Sequence, residues 1–321
     1  MGVVAGSPPW KSGEEREVAL SMHVAVMARG TQISGYEVLG TLGYGAHSTI
    51  YAVKDKDNNV FALKRVVRKS PQDDRFLEQA ILEHQVAQKL DHPNLRKSYK
   101  LIRHRSFIRT TEVIVLMEMV DGYTLEQHPP RDLLELVTIF TETAKALGAM
   151  HDVGLVHSDM KPNNVIASDG RIKVIDFGQS CASGTVKQRI QGTPDYIAPE
   201  QVNLEAITPR TDVFNLGATM YWLLTKKHVP TAIPKGKPGL DLRSDDAARP
   251  PREIRTEVTP ALSNLVMDCI APAPQDRPQT MSAVIDRLGL ARMQLERMRR
   301  HEQDDDSSSQ ASGFQIDASA I

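Results

Sequence analysis

Apolar residues recur along this chain with two different periods, and the change of period divides it. Val38, Leu42, Ile50, Tyr51 and Val53 are β-prone, and Gly43 and Gly45 interrupt them as a hairpin would. Phe61-Ala62-Leu63-Lys64 follows the turn-forming Asp57-Asn58-Asn59 and predicts a third strand. Over residues 74–90 the period lengthens: Leu77, Ile81, Val86 and Leu90 share one helix face, which Asp91-His92-Pro93-Asn94 ends. Strands are predicted again near 99–105 and 113–119. Beyond Gly122 the pattern is helical. Leu133, Leu134, Leu136, Val137, Phe140, Ala144, Leu147 and Met150 form one stripe and predict a long buried helix ending near His151. Further helices are expected over 213–224, 260–270 and 281 to about 298. Residues 230–251 carry five prolines and predict an irregular surface loop.

A mostly antiparallel sheet with one helix, followed by a larger helical part, predicts an α+β fold of two lobes. The expected organisation is an extension over 1–34, a domain over 35–297 divided into 35–120 and 121–297, and a disordered acidic, Ser-rich tail over 298–321. No internal repeat is visible.

Composition narrows the setting. The chain has 321 residues, 40% hydrophobic, enough for a sizeable core, and a net charge of −1 that gives no bias toward nucleic acid or acidic membranes. Cys181 and Cys269 are the only cysteines, which argues against a disulfide framework and for a reducing cytoplasm. The most apolar early run, residues 18–28, falls short of the about 20 residues a membrane span needs. Glu14, Glu15 and Glu17 precede it, the wrong charge for a signal peptide. No transmembrane segment is therefore expected.

The chemistry concentrates in His157-Ser158-Asp159-Met160-Lys161-Pro162-Asn163-Asn164 and, downstream, Asp176-Phe177-Gly178. These supply a carboxylate base, a cation for phosphate charge and two oxygen ligands for Mg²⁺, the set that phosphoryl transfer to an alcohol needs. Leu42-Gly43-Tyr44-Gly45 adds a loop whose glycines let backbone N–H groups approach phosphate. Alone it is a hairpin turn more often than a nucleotide loop; a lysine at strand spacing, Lys64, gives it weight. Ala198-Pro199-Glu200 and Asp276-Arg277-Pro278 follow in order.

In these motifs and their order the chain resembles the protein kinases, and the run Thr193-Pro194-Asp195-Tyr196-Ile197-Ala198-Pro199-Glu200-Gln201 looks closest to the bacterial eukaryotic-like Ser/Thr kinases. The resemblance implies an ATP-dependent enzyme that phosphorylates Ser or Thr of a protein substrate. It implies Asp159 as base, Lys161 on the transferred phosphoryl group, and Lys64 on the α- and β-phosphates. Lys64 would pair with Glu83, preferred over Glu78 for its offset from Pro93. Asn164 and Asp176 would hold Mg²⁺. Gly43 and Gly45 would cover the phosphates, Glu118 and Val120 would bind adenine through their backbones, and Leu42, Ile50, Ala62 and Ile166 would sandwich the ring, with Met117 behind it. His157 would support Asp-Phe-Gly, Asp212 would hold the catalytic-loop backbone, and Glu200 would pair with Arg277. Two other functions compete: a binding module that keeps the fold without transfer, and a small-molecule phosphotransferase. Every residue type that transfer needs is present, and Gly192-Thr193 with Ala198-Pro199-Glu200 favours a protein acceptor.

Ser158 departs from the pattern, which has Arg before the catalytic Asp in kinases switched by loop phosphorylation. Activity without a phosphate between 178 and 192 is therefore expected, with control from helix position at Glu83, from partner binding or from the flanking tails; a regulatory protein and a homodimer are the partners expected beside the protein substrate. Lys187 and Arg189 could bind a phosphate on Ser183 or Thr185 but are not expected to link it directly to the catalytic loop. Thr124 and Asn163 are not acidic, so no strong preference for Arg near the acceptor is expected. The cations Arg96, Lys97, Lys100, Arg103, Arg105 and Arg109 are best explained as a solvated sheet edge, and the stripe Leu288, Ala291, Leu295 and Met298 as a final lobe helix.

Overall fold

Strand pairing begins earlier than the apolar pattern suggested. In the computed structural model, which describes residues 31–45, 47–168, 170–230 and 248–312, β1 (Gln32–Ile33) pairs with β2 (Tyr36–Tyr44) inside the stretch expected as an extension. Ser34 and Gly35 both take positive φ (50° and 88°) and fold the chain back, so that Ile33 enters the sheet's apolar layer. The rest of the expected extension, most of the proline-rich loop and the end of the tail lie outside the described residues.

Two compact units emerge: Met1–His84 with Ser98–Met119, and Gln85–Lys97 with Val120–Ile321. In the first, β3 (Ser48–Lys54), β4 (Val60–Val67), helix α1 (Asp74–Ala87), β5 (Ser98–Ser106) and β6 (Arg109–Glu118) follow. The sheet is antiparallel in the order β1-β2-β3-β4-β6-β5. Period-two alternation sorts its side chains. Ile114 and Leu116 join Val53 and Leu63 on one face; Val113, Val115 and Met117 join Ala62, Val66 and α1's Leu77 and Ala80 on the other. Lys64 lies between Ala62 and Val66 in this alternation, so it shares the face that packs against α1. The edge strand β5 exposes Lys100, Arg103 and Arg105, the arrangement that discourages edge pairing.

The second unit contains β7 (Tyr123–Thr124), α2 (Leu133–Asp152), β8 (Leu155–Val156), β9 (Val165–Ser168), β10 (Arg171–Val174), β11 (Cys181–Ala182) and β12 (Thr185–Val186). Then come α3 (Pro199–Val202), β13 (Ala206–Ile207), α4 (Pro209–Thr225), α5 (Pro251–Ile254), α6 (Pro260–Cys269) and α7 (Met281–Ser312). Asp132 caps α2 by accepting from Glu135 N. The helix then buries Phe140, Ala144, Leu147 and Met150 against Leu216 and Met220 of α4, Leu265 of α6 and Leu288 of α7. Leu288, Ala291 and Leu295 are buried, as a final lobe helix requires, while Met298, the last residue of the expected stripe, is 42% exposed.

The helix does not stop near Met298. It runs to Ser312, through the start of the tail expected to be disordered. Its packed first half bears the cost of nucleation, and each later residue then adds a hydrogen bond cheaply. The Arg292–Glu296 pair supports the exposed stretch. Among the described residues no helix is long and apolar enough to cross a membrane.

Candidate active site

In the first unit the site begins with a lysine and a glutamate. Lys64 Nζ lies 2.6 Å from Glu83 Oε2, with only 14% and 2% of the two side chains exposed. Strand alternation turns Lys64 toward α1, and the helix period brings Glu83 onto the face of Leu77 and Ala80, leaving Glu78 exposed. The β2–β3 hairpin carries the glycines. Gly45 N donates to Ser48 O at 2.7 Å, and a Cβ on Gly45 would meet Ser48 Oγ at 2.6 Å, so a side chain here would have to turn the Ser48 hydroxyl aside. Gly43, paired with Ile50, has open space around it. Beyond it His47 lies 3.2 Å from Asp73 and stacks on Phe76, contacts not foreseen from the sequence.

Ala62 is buried and Ile50 packs beside it on the α1 face, with Met117 1% exposed in the same layer. Leu42 is 37% exposed and stands outside both apolar clusters of this unit. Glu118 closes β6, and Val120 opens the second unit. Gly122 comes next with φ 126°, where a Cβ would lie 2.6 Å from Ala167 O. No side chain fits there.

The second unit gathers the catalytic-loop residues around Asp159, whose residue exposure is 8%. Lys161 Nζ donates to Asp159 Oδ2 (2.9 Å) and to Thr193 Oγ1 (2.8 Å). Thr193 donates to Asp159 Oδ1 from both its N–H (3.0 Å) and its hydroxyl (2.9 Å). Asn164 Nδ2 donates to the Asp159 carbonyl at 2.8 Å. Ile175 N donates to Asn164 O at 2.9 Å, which ties the backbone before Asp176 to Asn164. Asp176 itself has a positive φ of 65°, and Ser158 one of 59°. Left-handed non-glycine residues need surroundings that hold them, and both stand at the centre of this cluster.

Ser158 is held at every polar atom. Its N–H donates to Asp212 Oδ1 (2.7 Å), its carbonyl accepts from Gln201 Nε2 (2.8 Å), and its hydroxyl donates to Gln179 O (2.7 Å). Asp212 Oδ2 also accepts from His157 N and His151 Nε2, each at 2.8 Å. Burial alone would raise the Asp212 carboxyl; the His151 hydrogen bond, the His151 and His157 charges and the Ser158 N–H outweigh it and hold the group below its ordinary 3.8. His157 packs its ring edge against Phe177 and approaches Ile175 O at 3.3 Å, a supporting role for the Asp-Phe-Gly turn. Arg277, its side chain 0% exposed, holds Glu200 through both carboxylate oxygens at 2.8 and 2.9 Å.

One expectation is overturned. Lys187 does reach the catalytic loop: its Nζ donates to Ser158 Oγ at 3.1 Å and to Gln179 O at 2.7 Å. Gln201 and His151 were missed altogether. Gln201 stands inside the quoted motif run, but the role of each is set by backbone or carboxylate atoms distant in sequence. Burial pushes the Cys181 thiol up, away from the reactive thiolate.

Asn164 and Asp176 offer hard oxygen donors suited to Mg²⁺, which binds through one or two side chains plus substrate phosphates. Among the described residues no group of three or more His, Cys, Asp or Glu could hold a metal.

This arrangement is that of a protein kinase. The family described as "Protein kinase domain" matches residues 36–287, most of the chain, and the protein belongs to that family. The serine/threonine-protein kinase PknB of Mycolicibacterium smegmatis is 31% identical over 266 residues, covering 76% of this chain and 41% of that protein. PrkC of Bacillus subtilis, also a serine/threonine-protein kinase, is 31% identical over 211 residues, 62% of this chain and 32% of its own. A probable serine/threonine-protein kinase of Clostridium acetobutylicum is 28% identical over 270 residues, 81% of this chain and 40% of its own. The chain thus spans about two-fifths or less of these relatives' length.

Proposed function

We propose that this protein transfers the terminal phosphate of ATP to Ser or Thr hydroxyls of protein substrates. The observation that carries this is the Asp159–Lys161–Thr193 cluster. Asp159 accepts the hydroxyl proton; the Thr193 donors and Lys161 fix the direction of its carboxylate. The low exposure of Asp159 and Asn164 strengthens every charge interaction there. Lys161 neutralises charge on the phosphoryl group in flight, and Lys64, held by Glu83, binds the α- and β-phosphates. Gly43 and Gly45 leave the hairpin backbone bare toward phosphate. Leu42, Ile50, Ala62 and Ile166 contact the adenine, and the backbone of Glu118 and Val120 hydrogen-bonds it. Asn164 and Asp176 would hold Mg²⁺, which would neutralise phosphate charge when bound.

The choice of Ser or Thr follows from the same cluster. Lys161 and Thr193 stand with Asp195, Tyr196 and Trp222 around one surface hollow, and both bond Asp159, which a short hydroxyl entering beside them would approach. The kinase unit begins at β1, before the expected residue 35, and runs into α7, and the cytoplasm suits its two unpaired cysteines.

The test is Mg²⁺-dependent phosphate transfer from ATP to a Ser/Thr peptide library. Asp159→Asn is expected to lower the rate about 10²- to 10⁴-fold while the protein stays folded. Wild-type turnover in that variant, or mainly phosphotyrosine in the product, would reject the assignment.

A further inference from the structure

Where a phosphate-switched kinase would carry Arg, this chain has Ser158, and a cation arrives from another element. The segment after Asp-Phe-Gly is fastened in steps. β11 pairs with β8, Cys181 opposite Val156, just before His157. β12 pairs with β13, Thr185 opposite Ile207. Lys187 follows directly, partly buried, and its ammonium closes a three-membered knot with the Ser158 hydroxyl and the Gln179 carbonyl.

These partners are neutral oxygens. An ammonium drawn from water onto a hydroxyl and a carbonyl gains little stability for its desolvation, but it fixes position. Ser158 is left-handed and immediately precedes Asp159. Any slack at Ser158 is transmitted to the carboxylate that must meet the acceptor hydroxyl. We propose that Lys187 is a positioning residue for phosphoryl transfer: it ties the activation segment to the catalytic loop through Ser158, and so holds Asp159 in place without a loop phosphate. This rests on Asp159 being the catalytic base.

Burial pushes the Lys187 ammonium below its ordinary value, while Cys181, Asp159 and Asp212 pull it back up. Those groups, on β11, in the catalytic loop and on α4, are the titratable side chains that face it. Loss of the proton at alkaline pH removes the knot, so the alkaline fall in kcat begins at lower pH than an ordinary lysine would give. Arginine stays charged throughout this range.

The experiment compares Lys187→Met and Lys187→Arg with wild type in the full chain. It measures kcat and KM for MgATP and peptide, the alkaline limb of kcat, and amide hydrogen exchange over residues 155–160 and 179–191. Lys187→Met should lower kcat about tenfold to 10²-fold, as a misplaced catalytic group does, with KM little changed. It should also speed exchange in both stretches. Lys187→Arg should restore kcat and move the alkaline limb up, whereas Cys181→Ser, which removes a group that helps to hold the ammonium's proton, should move that limb down. If Lys187→Met fails to fold by thermal melt, Lys187→Gln takes its place with the same expectations. Wild-type kcat and wild-type exchange in the Met or Gln variant would overturn the inference, as would a loss of kcat that Arg does not restore. If Asp159→Asn is fully active, the transferase assignment fails instead, and the exchange data alone then decide whether Lys187 holds the loop.

Discussion

Lys161 Nζ donates to Thr193 Oγ1 at 2.8 Å while both groups bond the carboxylate of Asp159. Thr193 therefore accepts from a cation and donates to an anion at once, and neither bond is made by a neighbour in sequence. Replacing Thr193 by Val keeps the shape and deletes the hydroxyl. A hydrogen bond to a charged group is worth about 1.5–3 kcal/mol, so kcat should fall about 10- to 10²-fold. Thr193→Ser should retain most of the rate. Steady-state kinetics on a Ser peptide checks both.

The Lys64–Glu83 pair discriminates between two glutamates on one helix. Glu83→Gln should impair transfer strongly, because Lys64 then loses the charge that orients it. Glu78→Gln, at an exposed position, should behave as wild type. Equal effects in the two variants would mean that the observed pairing does not operate in solution.

Arg277 and Glu200 predict a stability effect. Beyond Glu200, Arg277 donates to the carbonyls of Arg210, Ala271 and Pro272, and its guanidinium lies over the Phe214 ring at 4.9 Å. Arg277→Met strands a buried carboxylate, which costs about 3–5 kcal/mol. Thermal unfolding should show a drop of about 2–4 °C for each of those kcal/mol. An unchanged melting temperature would contradict the burial described here.

Asp212 sets a pH dependence. Its folded value lies below 3.8, so the carboxylate's contribution to stability is complete above that value and is lost as pH falls from about 4 through the folded value. Asp212→Asn cannot accept through its amide nitrogen, so it abandons either the Ser158 N–H or the His157 and His151 donors. The variant should be less stable at neutral pH, with the difference from wild type shrinking in acid. Denaturant melts at pH 7 and pH 3 measure this. A constant difference would refute it.

Loop phosphorylation should be dispensable. Ser180 is 2% exposed and approaches His157 O at 3.4 Å, so it belongs to the packed interior of the loop and is no phosphate acceptor. The informative variant is Ser183→Ala with Thr185→Ala, compared with phosphatase-treated and untreated wild type. All three should start at similar rates; a tenfold deficit would reveal a switch.

Much of the site was legible because its chemistry is local in sequence. Asp159, Lys161 and Asn164 sit on one loop, and Lys64 and Glu83 are placed by strand and helix periods that the apolar residues display. Alternation likewise exposed the main strands and the α2 stripe. What stayed hidden depends on contacts between distant segments. Gln201 grips the Ser158 carbonyl from α3, and Lys187 reaches Ser158 only because β11 and β12 bring the chain back. Both are polar residues with no periodic signature. Gly122 could have been read as a close approach, but its partner, Ala167 O, is a backbone atom that no sequence displays. The length of α7 was hidden for another reason: the acidic, Ser-rich composition of the tail does not display how far the helix expected before it propagates.

The contact between Lys187 and Ser158 also constrains how this chain can change. An arginine introduced at 158 would delete the hydroxyl that accepts from Lys187 and set a second cation against the lysine already there. Removing the lysine first would loosen the loop before any phosphate could hold it. Each single step is thus worse than either endpoint, and the two positions can trade their roles only together.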